Sequence, residues 1–172
     1  MRHVLAEIET EGIQTEMVQV GGKKIRGCIA CYKCFENRNR RCAVDKDILN
    51  ACLEKMIAAD GILLGSPTYF ADMSADLKAL IERAGLVAKA NDELLRRKVG
   101  AAVVAVRRAG SVHTLDSINH FFTIGQMIIP GSSYWNLGIG REKGEVAADE
   151  EGLRTMRTLG QNMAWLLKKI HA

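Results

Sequence analysis

Apolar and polar positions along the chain form short continuous apolar runs that alternate with longer segments of helical period. Residues 61–65 and 99–106 are continuous apolar runs, which are typical of strands buried on both faces of a parallel sheet. Residues 14–20 alternate polar and apolar side chains, and this period of two predicts another strand. Residues 127–129, which run into Pro130, predict the last strand.

The longer segments carry apolar residues at helical spacing. Asp47 can cap a helix whose apolar stripe includes Cys52, so this thiol is predicted to be a buried core residue. Asp72 or Ser74 can cap the next helix. The apolar stripe of that helix is formed by Leu77, Leu80, Ile81, Ala84 and Val87. Further helices are predicted over residues 2–11, 111–125 and 153–170.

This order of elements predicts one α/β domain over residues 1–172, with a doubly wound parallel sheet. In such sheets, ligands bind at the carboxyl ends of the strands. Three loops are predicted at that edge: the cysteine-rich loop 21–46, the loop 66–73 and the loop 107–113.

The composition is that of a globular protein. Of the 172 residues, 48% are hydrophobic and 26% are charged, and no apolar run approaches the length of a membrane span. No signal peptide opens the sequence, so we expect a cytoplasmic protein without a membrane partner. The net charge of +4 is mild, and the basic residues lack the interleaved aromatics of a nucleic-acid-binding surface, so we expect no nucleic-acid partner.

The cysteines carry the clearest chemical signal. Four of the five follow the pattern Cys28-x2-Cys31-x2-Cys34-x7-Cys42, a clustering that indicates metal or redox chemistry rather than a disulfide framework. Three closely spaced cysteines with a more distant fourth resemble the ligand spacing of a [4Fe–4S] cluster, which we expect here. A four-cysteine zinc site and free redox-active thiols are the alternatives.

Basic residues surround these cysteines in the sequence. Such charges can stabilise thiolates, or they can simply keep a loop solvated, and the sequence favours neither interpretation. The basic residues are Lys23, Lys24, Arg26, Lys33, Arg38, Arg40, Arg41 and Lys46.

Two further loops could bind a flat, anionic heterocycle. The first offers backbone amides, hydroxyls and two aromatic rings, and it consists of Ser66, Pro67, Thr68, Tyr69, Phe70, Ala71 and Asp72. The second offers two guanidinium groups and a glycine that permits close approach, and it consists of Arg107, Arg108, Ala109 and Gly110. Taken alone, the first loop is better explained as an ordinary strand–turn–helix connection in which Pro67 sets the turn. His113 follows the second loop and is interpreted as a solvated residue at a helix start.

Three stretches of the sequence resemble the iron–sulfur flavoprotein family, in the NADPH-dependent FMN reductase-like branch of the flavodoxin fold. They are GCIACYKCFENRNRRCAVDKD, GILLGSPTYFADMSADLKALIER and VAVRRAGSVHTLDSINHFF. The resemblance implies a flavodoxin-like sheet, FMN, and a [4Fe–4S] cluster that passes electrons to FMN, often that of a neighbouring subunit. It implies that Cys28, Cys31, Cys34 and Cys42 are the cluster ligands. Residues 67–70 would then line the isoalloxazine ring, and residues 107–110 would flank its other side.

The same resemblance implies a homodimer or homotetramer and a redox partner such as a ferredoxin or NAD(P)H. Members of the family begin with a strand and a phosphate-cradling turn, which in this sequence do not precede the helix predicted at residues 2–11. We therefore expect a sheet without the family's first strand, in a shortened chain or in one where another segment or subunit fills that position.

The sequence thus predicts a flavin-dependent electron-transfer oxidoreductase with FMN and a [4Fe–4S] cluster. Its catalytic residues are unknown, because no dedicated acid–base pair is visible and the chemistry would belong to the cofactors. The alternatives are an NAD(P)H-dependent FMN or quinone reductase without a cluster, and a zinc-stabilised α/β module without catalytic activity.

Overall fold

A computed structural model describes residues 1–170 and contains one parallel sheet. Its strands lie in the order β1-β2-β3, and β2 is the central strand. The pairing of β1 with β2 runs from Gly61 opposite Val99 to Pro67 opposite Ala105. The strands are β1 (Gly61–Pro67), β2 (Val99–Val106) and β3 (Leu137–Ile139).

Helices connect and cover these strands. They are α1 (Arg2–Thr10), α2 (Lys33–Asn37), α3 (Leu49–Ala58), α4 (Ala75–Ala90), α5 (Ser111–Ile124) and α6 (Glu150–Ile170), with a short 3-10 helix at Glu145–Ala148. The helices predicted from hydrophobic periodicity are confirmed, whereas α2 lies inside the cysteine-rich loop and was not predicted. Within residues 1–170, none of these helices combines the length and apolarity needed to cross a lipid bilayer.

Alternate side chains of β2 face two different helical layers. Val99, Ala101 and Val103 pack with α1 and α6 on one face of the sheet. Ala102 and Val104 pack with α3, α4 and α5 on the other face. Each fully buried valine contributes roughly 1.5–3 kcal/mol of hydrophobic free energy. The sheet is therefore covered on both faces, as the α/β prediction requires.

The strand predicted at residues 14–20 is wrong. This segment has no β-bridge to any described residue, and Met17 and Val18 are exposed. An alternating pattern forms a strand only where a neighbouring strand supplies backbone hydrogen bonds. In the described residues, β1 is the edge strand of the sheet and no further strand pairs with its outer side. The neighbouring strand that residues 14–20 would need is therefore missing.

The strand predicted at residues 127–129 is also wrong. Only Ile128 forms a bridge, to Val99, and the last strand is β3 instead. Pro130 cannot donate a backbone hydrogen bond, and the chain leaves the sheet there. Asn136 takes over part of the lost pairing, because its side-chain Nδ2 donates to the carbonyl oxygen of Ala102 at 3.0 Å.

Candidate functional site

The cysteine-rich loop lies along the length of α4. At the start of α4, the backbone N–H of Gly22 donates to the carboxylate of Asp76 at 3.0 Å. At its end, the backbone N–H of Arg40 donates to the side-chain oxygen of Asn91 at 2.9 Å. The prediction that the whole loop sits at the carboxyl edge of the sheet is therefore wrong. That placement required a strand at residues 14–20, which does not form.

All four clustered cysteines line one shallow pocket. Cys28 and Cys31 are exposed, Cys34 is buried, Cys42 is half-buried, and all four are free thiols. Among the described residues, no three His, Cys, Asp or Glu side chains are arranged to hold a single metal ion. The fold thus brings the four predicted ligands to one place.

The backbone between the first cysteines is curled by left-handed residues. Ala30 and Tyr32 have φ angles of 52° and 54°, a region that non-glycine residues seldom adopt. The N–H of Ala30 donates to Sγ of Cys28 at 3.4 Å. Concave backbone turns of this kind present N–H groups to anions and occur at iron–sulfur sites. The loop is therefore shaped for negatively charged sulfur.

Arg83 on α4 joins the two ends of the cysteine loop. Its Nε donates to Sγ of Cys42 at 3.4 Å, and its Nη1 donates to the carboxylate of Asp47 at 2.5 Å. Nη1 also donates to the carbonyl of Arg26 at 3.1 Å, and Nη2 donates to the carbonyl of Val44. The side chains of Arg83 and Asp47 are only 1% and 3% exposed. This buried ion pair fixes both ends of the loop to α4.

The ionisation of this region follows from burial and hydrogen bonding. Burial by itself opposes the charge of Asp47, but hydrogen bonds from Arg83 and from the N–H groups of Leu49 and Arg26 hold its pKa below the ordinary value. Burial likewise opposes the charge of Arg83, but its bonds to Asp47 and Cys42 outweigh that effect and raise its pKa. Both groups are therefore charged at neutral pH.

Two of the thiols have a perturbed pKa. Burial raises the pKa of Cys34, and the neighbouring Cys42 and Cys31 raise it further. Burial also raises the pKa of Cys52, which lies on the core-facing side of α3 as predicted. Cys52 does not line the cysteine pocket and is a structural residue.

Sequence reasoning missed Arg83 as the cation that contacts a thiol. Arg38 and Arg41, two of the basic residues in the loop, instead pair with carboxylates elsewhere in the chain, those of Asp92 and Glu54. These exposed pairs fit the interpretation of a solvated loop. A signal was present, since Arg83 follows Leu80 by three residues and therefore falls within the apolar stripe of its helix.

The two other predicted loops meet at the carboxyl ends of β1 and β2. Gly110 is the N-cap of α5 and has a φ of +87°. A Cβ added at Gly110 would lie 3.2 Å from Cγ2 of Thr68 and 3.6 Å from Cα of Ala71, so the two loops are in close contact. The hydroxyls of Thr68 and Thr114 lie 3.1 Å apart. We call this pair of loops, residues 66–72 and 107–110, the flavin edge, after the ligand that the sequence resemblance implies for them.

The first loop of the flavin edge is internally braced. The buried hydroxyl of Ser66 accepts a hydrogen bond from the N–H of Ser74 at 2.9 Å and donates to the carbonyl of Pro67 at 2.8 Å. The backbones of Tyr69 and Asp72 bond to each other at 2.7 and 3.2 Å and close a tight turn. Ser66 and Pro67 therefore support the loop from inside.

This turn pushes two aromatic rings into solvent. Phe70 and Ala71, at the tip of the turn, have positive φ angles of 46° and 76°. Phe70 is fully exposed and Tyr69 is 65% exposed. Exposed rings next to a ligand-binding edge suit stacking against a flat heterocycle.

The second loop of the flavin edge adds positive charge. Arg107, Arg108 and Ala109 are exposed, and neither arginine forms an ion pair with a described residue. His113 is exposed as predicted, with its Nε2 3.8 Å from the Asp72 carboxylate. The aromatic rings and the two guanidinium groups are therefore both accessible at this edge of the sheet.

Comparison with known proteins identifies the family of the chain. The family model for NADPH-dependent FMN reductase matches residues 1–142. An iron-sulfur flavoprotein of Methanocaldococcus jannaschii is 38% identical over 99% of this chain and 89% of its own length. An iron-sulfur flavoprotein of Methanosarcina thermophila is 32% identical over 92% of this chain and 81% of its own length.

Solved structures of similar shape support the fold. RosB with a bound 8-demethyl-8-formylriboflavin-5'-phosphate superimposes with a TM-score of 0.74 at 20% identity, covering 99% of this chain and 73% of that one. A flavodoxin from the domain Archaea superimposes with a TM-score of 0.61 at 16% identity, covering 97% and 87%. The α/β fold is thus flavodoxin-like. By the family match and the identity to these relatives, the chain belongs to the NADPH-dependent FMN reductase family and, within it, to the iron-sulfur flavoproteins.

Proposed function

We propose that this protein passes electrons between a [4Fe–4S] cluster, bound by Cys28, Cys31, Cys34 and Cys42, and FMN bound at the flavin edge. The observation that carries the proposal is the single pocket lined by all four thiols. Family membership makes the chain a flavin-dependent oxidoreductase, and its relatives carry the name iron-sulfur flavoprotein.

The spacing of the cysteines favours a cluster over zinc. Structural zinc prefers two separated Cys-x2-Cys pairs. Here three cysteines follow one another at steps of three residues and the fourth is more distant, which resembles the ligand spacing of a ferredoxin-type cluster.

The chain's own residues would prepare both sites. The buried Arg83 and the curled backbone at Ala30 present N–H donors to sulfur. Tyr69 and Phe70 would stack on the flavin ring, while Arg107 and Arg108 would offset its negative charge. When bound, the cluster would supply single electrons and FMN would couple one-electron with two-electron chemistry.

Helix α4 links the two sites mechanically. Ser74 is the N-cap of α4, its hydroxyl accepts a hydrogen bond from the N–H of Leu77, and it follows closely after the first loop of the flavin edge. Arg83 follows nine residues later, about 14 Å along the axis at 1.5 Å per residue. A rigid helix therefore sets the separation between the flavin edge and the cysteine pocket within one chain.

We further propose a cytoplasmic homodimer or homotetramer that exchanges electrons with a ferredoxin or NAD(P)H. These statements rest on the family resemblance. Analytical ultracentrifugation of the purified protein tests the assembly, since a monomer at micromolar concentration would contradict it.

The central test is metal and flavin analysis of anaerobically purified protein. We expect a broad cluster absorption, iron and acid-labile sulfide in equal amounts near four per chain, and FMN in the extract. Equimolar zinc with neither iron nor flavin would instead select the non-catalytic zinc module.

A flavin reductase without a cluster is the other alternative within the same family. It predicts FMN without iron, and NADPH-dependent bleaching of the flavin absorbance that is unchanged when Cys28, Cys31, Cys34 and Cys42 are all replaced by serine. Loss of the cluster band in that variant, with a change in the rate of flavin reduction, would support the proposed electron transfer.

A further inference from the structure

We infer that Arg83 is a positioning residue of the cysteine pocket that raises the reduction potential of the centre bound there, through its hydrogen bond to Sγ of Cys42. This inference rests on the proposed function, because it requires a cluster on the four thiols. It goes beyond that function by assigning a role to a buried side chain that is not one of the metal ligands.

The geometry of Arg83 leaves its guanidinium no freedom to turn away. Four hydrogen bonds use its Nε, Nη1 and Nη2, and they end on Cys42, Asp47 and the carbonyls of Arg26 and Val44. Because the guanidinium is planar and these acceptors lie in different directions, the Nε–H is locked onto the sulfur. The side chain is 1% exposed, so water cannot substitute for this donor.

The chemical consequence follows from charge. Adding an electron to a thiolate-bound cluster increases the negative charge on its sulfur atoms, and an N–H donor to sulfur stabilises that form more than the oxidised one. Low local polarity strengthens such a bond. Removing the donor therefore lowers the potential.

Asp47 neutralises the positive charge of Arg83, so the effect of Arg83 on the reduction potential comes mainly from its hydrogen bond. Its carboxylate lies 2.5 Å from Nη1 of Arg83 and balances the guanidinium. The centre thus experiences a directed hydrogen bond from a neutral pair rather than an uncompensated cation. Asp47→Asn would leave the cation unbalanced and should shift the potential in the opposite direction, upward.

A neighbouring polar contact from α4 to the cysteine loop does not reach sulfur. The carboxylate of Glu82 accepts the backbone N–H of Cys28 at 3.2 Å and lies 3.3 Å from Nζ of Lys78. Glu82 holds the backbone in place, whereas Arg83 contacts a thiol. Glu82 therefore anchors the loop, while its neighbour Arg83 adjusts the reduction potential of the centre.

The test is a redox titration of the anaerobic protein, followed by electron paramagnetic resonance of the reduced cluster. The test variant is Arg83→Gln, and a second variant, Asp47→Asn combined with Arg83→Gln, avoids leaving a buried carboxylate unpaired. The matched control is Arg38→Gln, which removes one positive charge from an exposed site in the same loop.

We expect both Arg83 variants to bind iron and sulfide as the wild type does. At a fixed potential, we expect the ratio of reduced to oxidised cluster to fall about tenfold, equivalent to about 59 mV for one electron. Arg38→Gln should change that ratio by less than about twofold, because solvent screens an exposed charge.

Three results would overturn the inference. They are a loaded Arg83 variant whose potential equals that of Arg38→Gln, a potential that rises, and failure of both Arg83 variants to assemble any cluster. The last would make Arg83 an assembly residue. Absence of iron from the wild-type protein would instead reject the proposed function, so the two failures are distinguishable.

Discussion

The cysteine pocket and the flavin edge are attached to the same helix, yet they are stabilised in different ways. At the cysteine pocket, the ion pair of Arg83 with Asp47 is almost fully buried and ties together both ends of the loop. At the flavin edge, the braces are internal to the loop, and Tyr69 and Phe70 point into solvent.

This difference indicates two kinds of ligand. A pocket preorganised by buried hydrogen bonds suits a group that is built in once and held permanently. An open edge with exposed aromatic rings suits a flat ligand that adds its own contact surface when it binds. Loss of a cysteine at the cysteine pocket should therefore affect metal content, and loss of its buried ion pair should affect stability. Changes to the exposed rings of the flavin edge should affect ligand affinity alone.

The largest expected effect comes from removing one ligand at the cysteine pocket. Cys42→Ser should abolish essentially all cluster iron, because a serine hydroxyl is a poor substitute for a thiolate that Arg83 holds in place. FMN content should stay close to that of the wild type. Iron analysis and flavin extraction measure both quantities.

Cys52→Ser is the matched control for that variant. Cys52 is buried in the core away from the pocket, so its replacement should lower stability and leave the iron content unchanged. Equal loss of iron in the two variants would show that the pocket does not act as a separate site.

The next effect is on folding of the metal-free protein. Arg83→Ala leaves the Asp47 carboxylate buried without its partner, which costs about 3–5 kcal/mol of unfolding free energy. Arg38→Ala breaks an exposed ion pair and should cost about 0.2–1 kcal/mol. Urea denaturation followed by circular dichroism measures both, and equal costs would remove the contrast between buried and exposed contacts.

A smaller effect is expected at the flavin edge. Phe70→Ala should weaken FMN binding about 2- to 10-fold, because one stacking contact contributes about 0.5–1.5 kcal/mol. The unfolding free energy of the free protein should change by less than about 0.5 kcal/mol, since Phe70 is fully exposed. Quenching of flavin fluorescence gives the affinity.

Trp165→Ala serves as the control for this surface substitution. Trp165 is 62% exposed on α6, outside the flavin edge, and its removal should leave FMN affinity unchanged. A comparable loss of affinity in both variants would mean that Phe70 does not contact the flavin.

The smallest effect is a pH dependence confined to the cysteine region. The pKa of Asp47 is lower in the folded protein than its unfolded value of about 3.9, so its ionised form adds stability above that pH. That stability is lost as the pH falls through the folded pKa. As the pH falls below about 4, the unfolding free energy of the metal-free protein should therefore decrease more steeply in the wild type than in Asp47→Asn. Parallel curves for the two proteins would contradict this assignment.

Much of the fold could be predicted from local patterns. The runs at residues 61–65 and 99–106 became β1 and β2, because a continuous apolar segment has its lowest free energy when both faces are covered. Ser74 caps α4 as predicted. The segments at residues 14–20 and 127–129 failed because a strand needs a partner, and periodicity does not report whether one is present.

The sequence by itself determined the helices other than α2, the two main strands and the grouping of four cysteines, because each depends on residues close together in the chain. Only the tertiary structure decided that the cysteine loop lies along α4 and that Arg83 contacts Cys42 and Asp47. Those contacts join residues 41 and 36 positions apart. A charged residue in an apolar stripe shows that a buried partner must exist, but the partner is chosen by packing, which brings distant segments together to satisfy a buried charge.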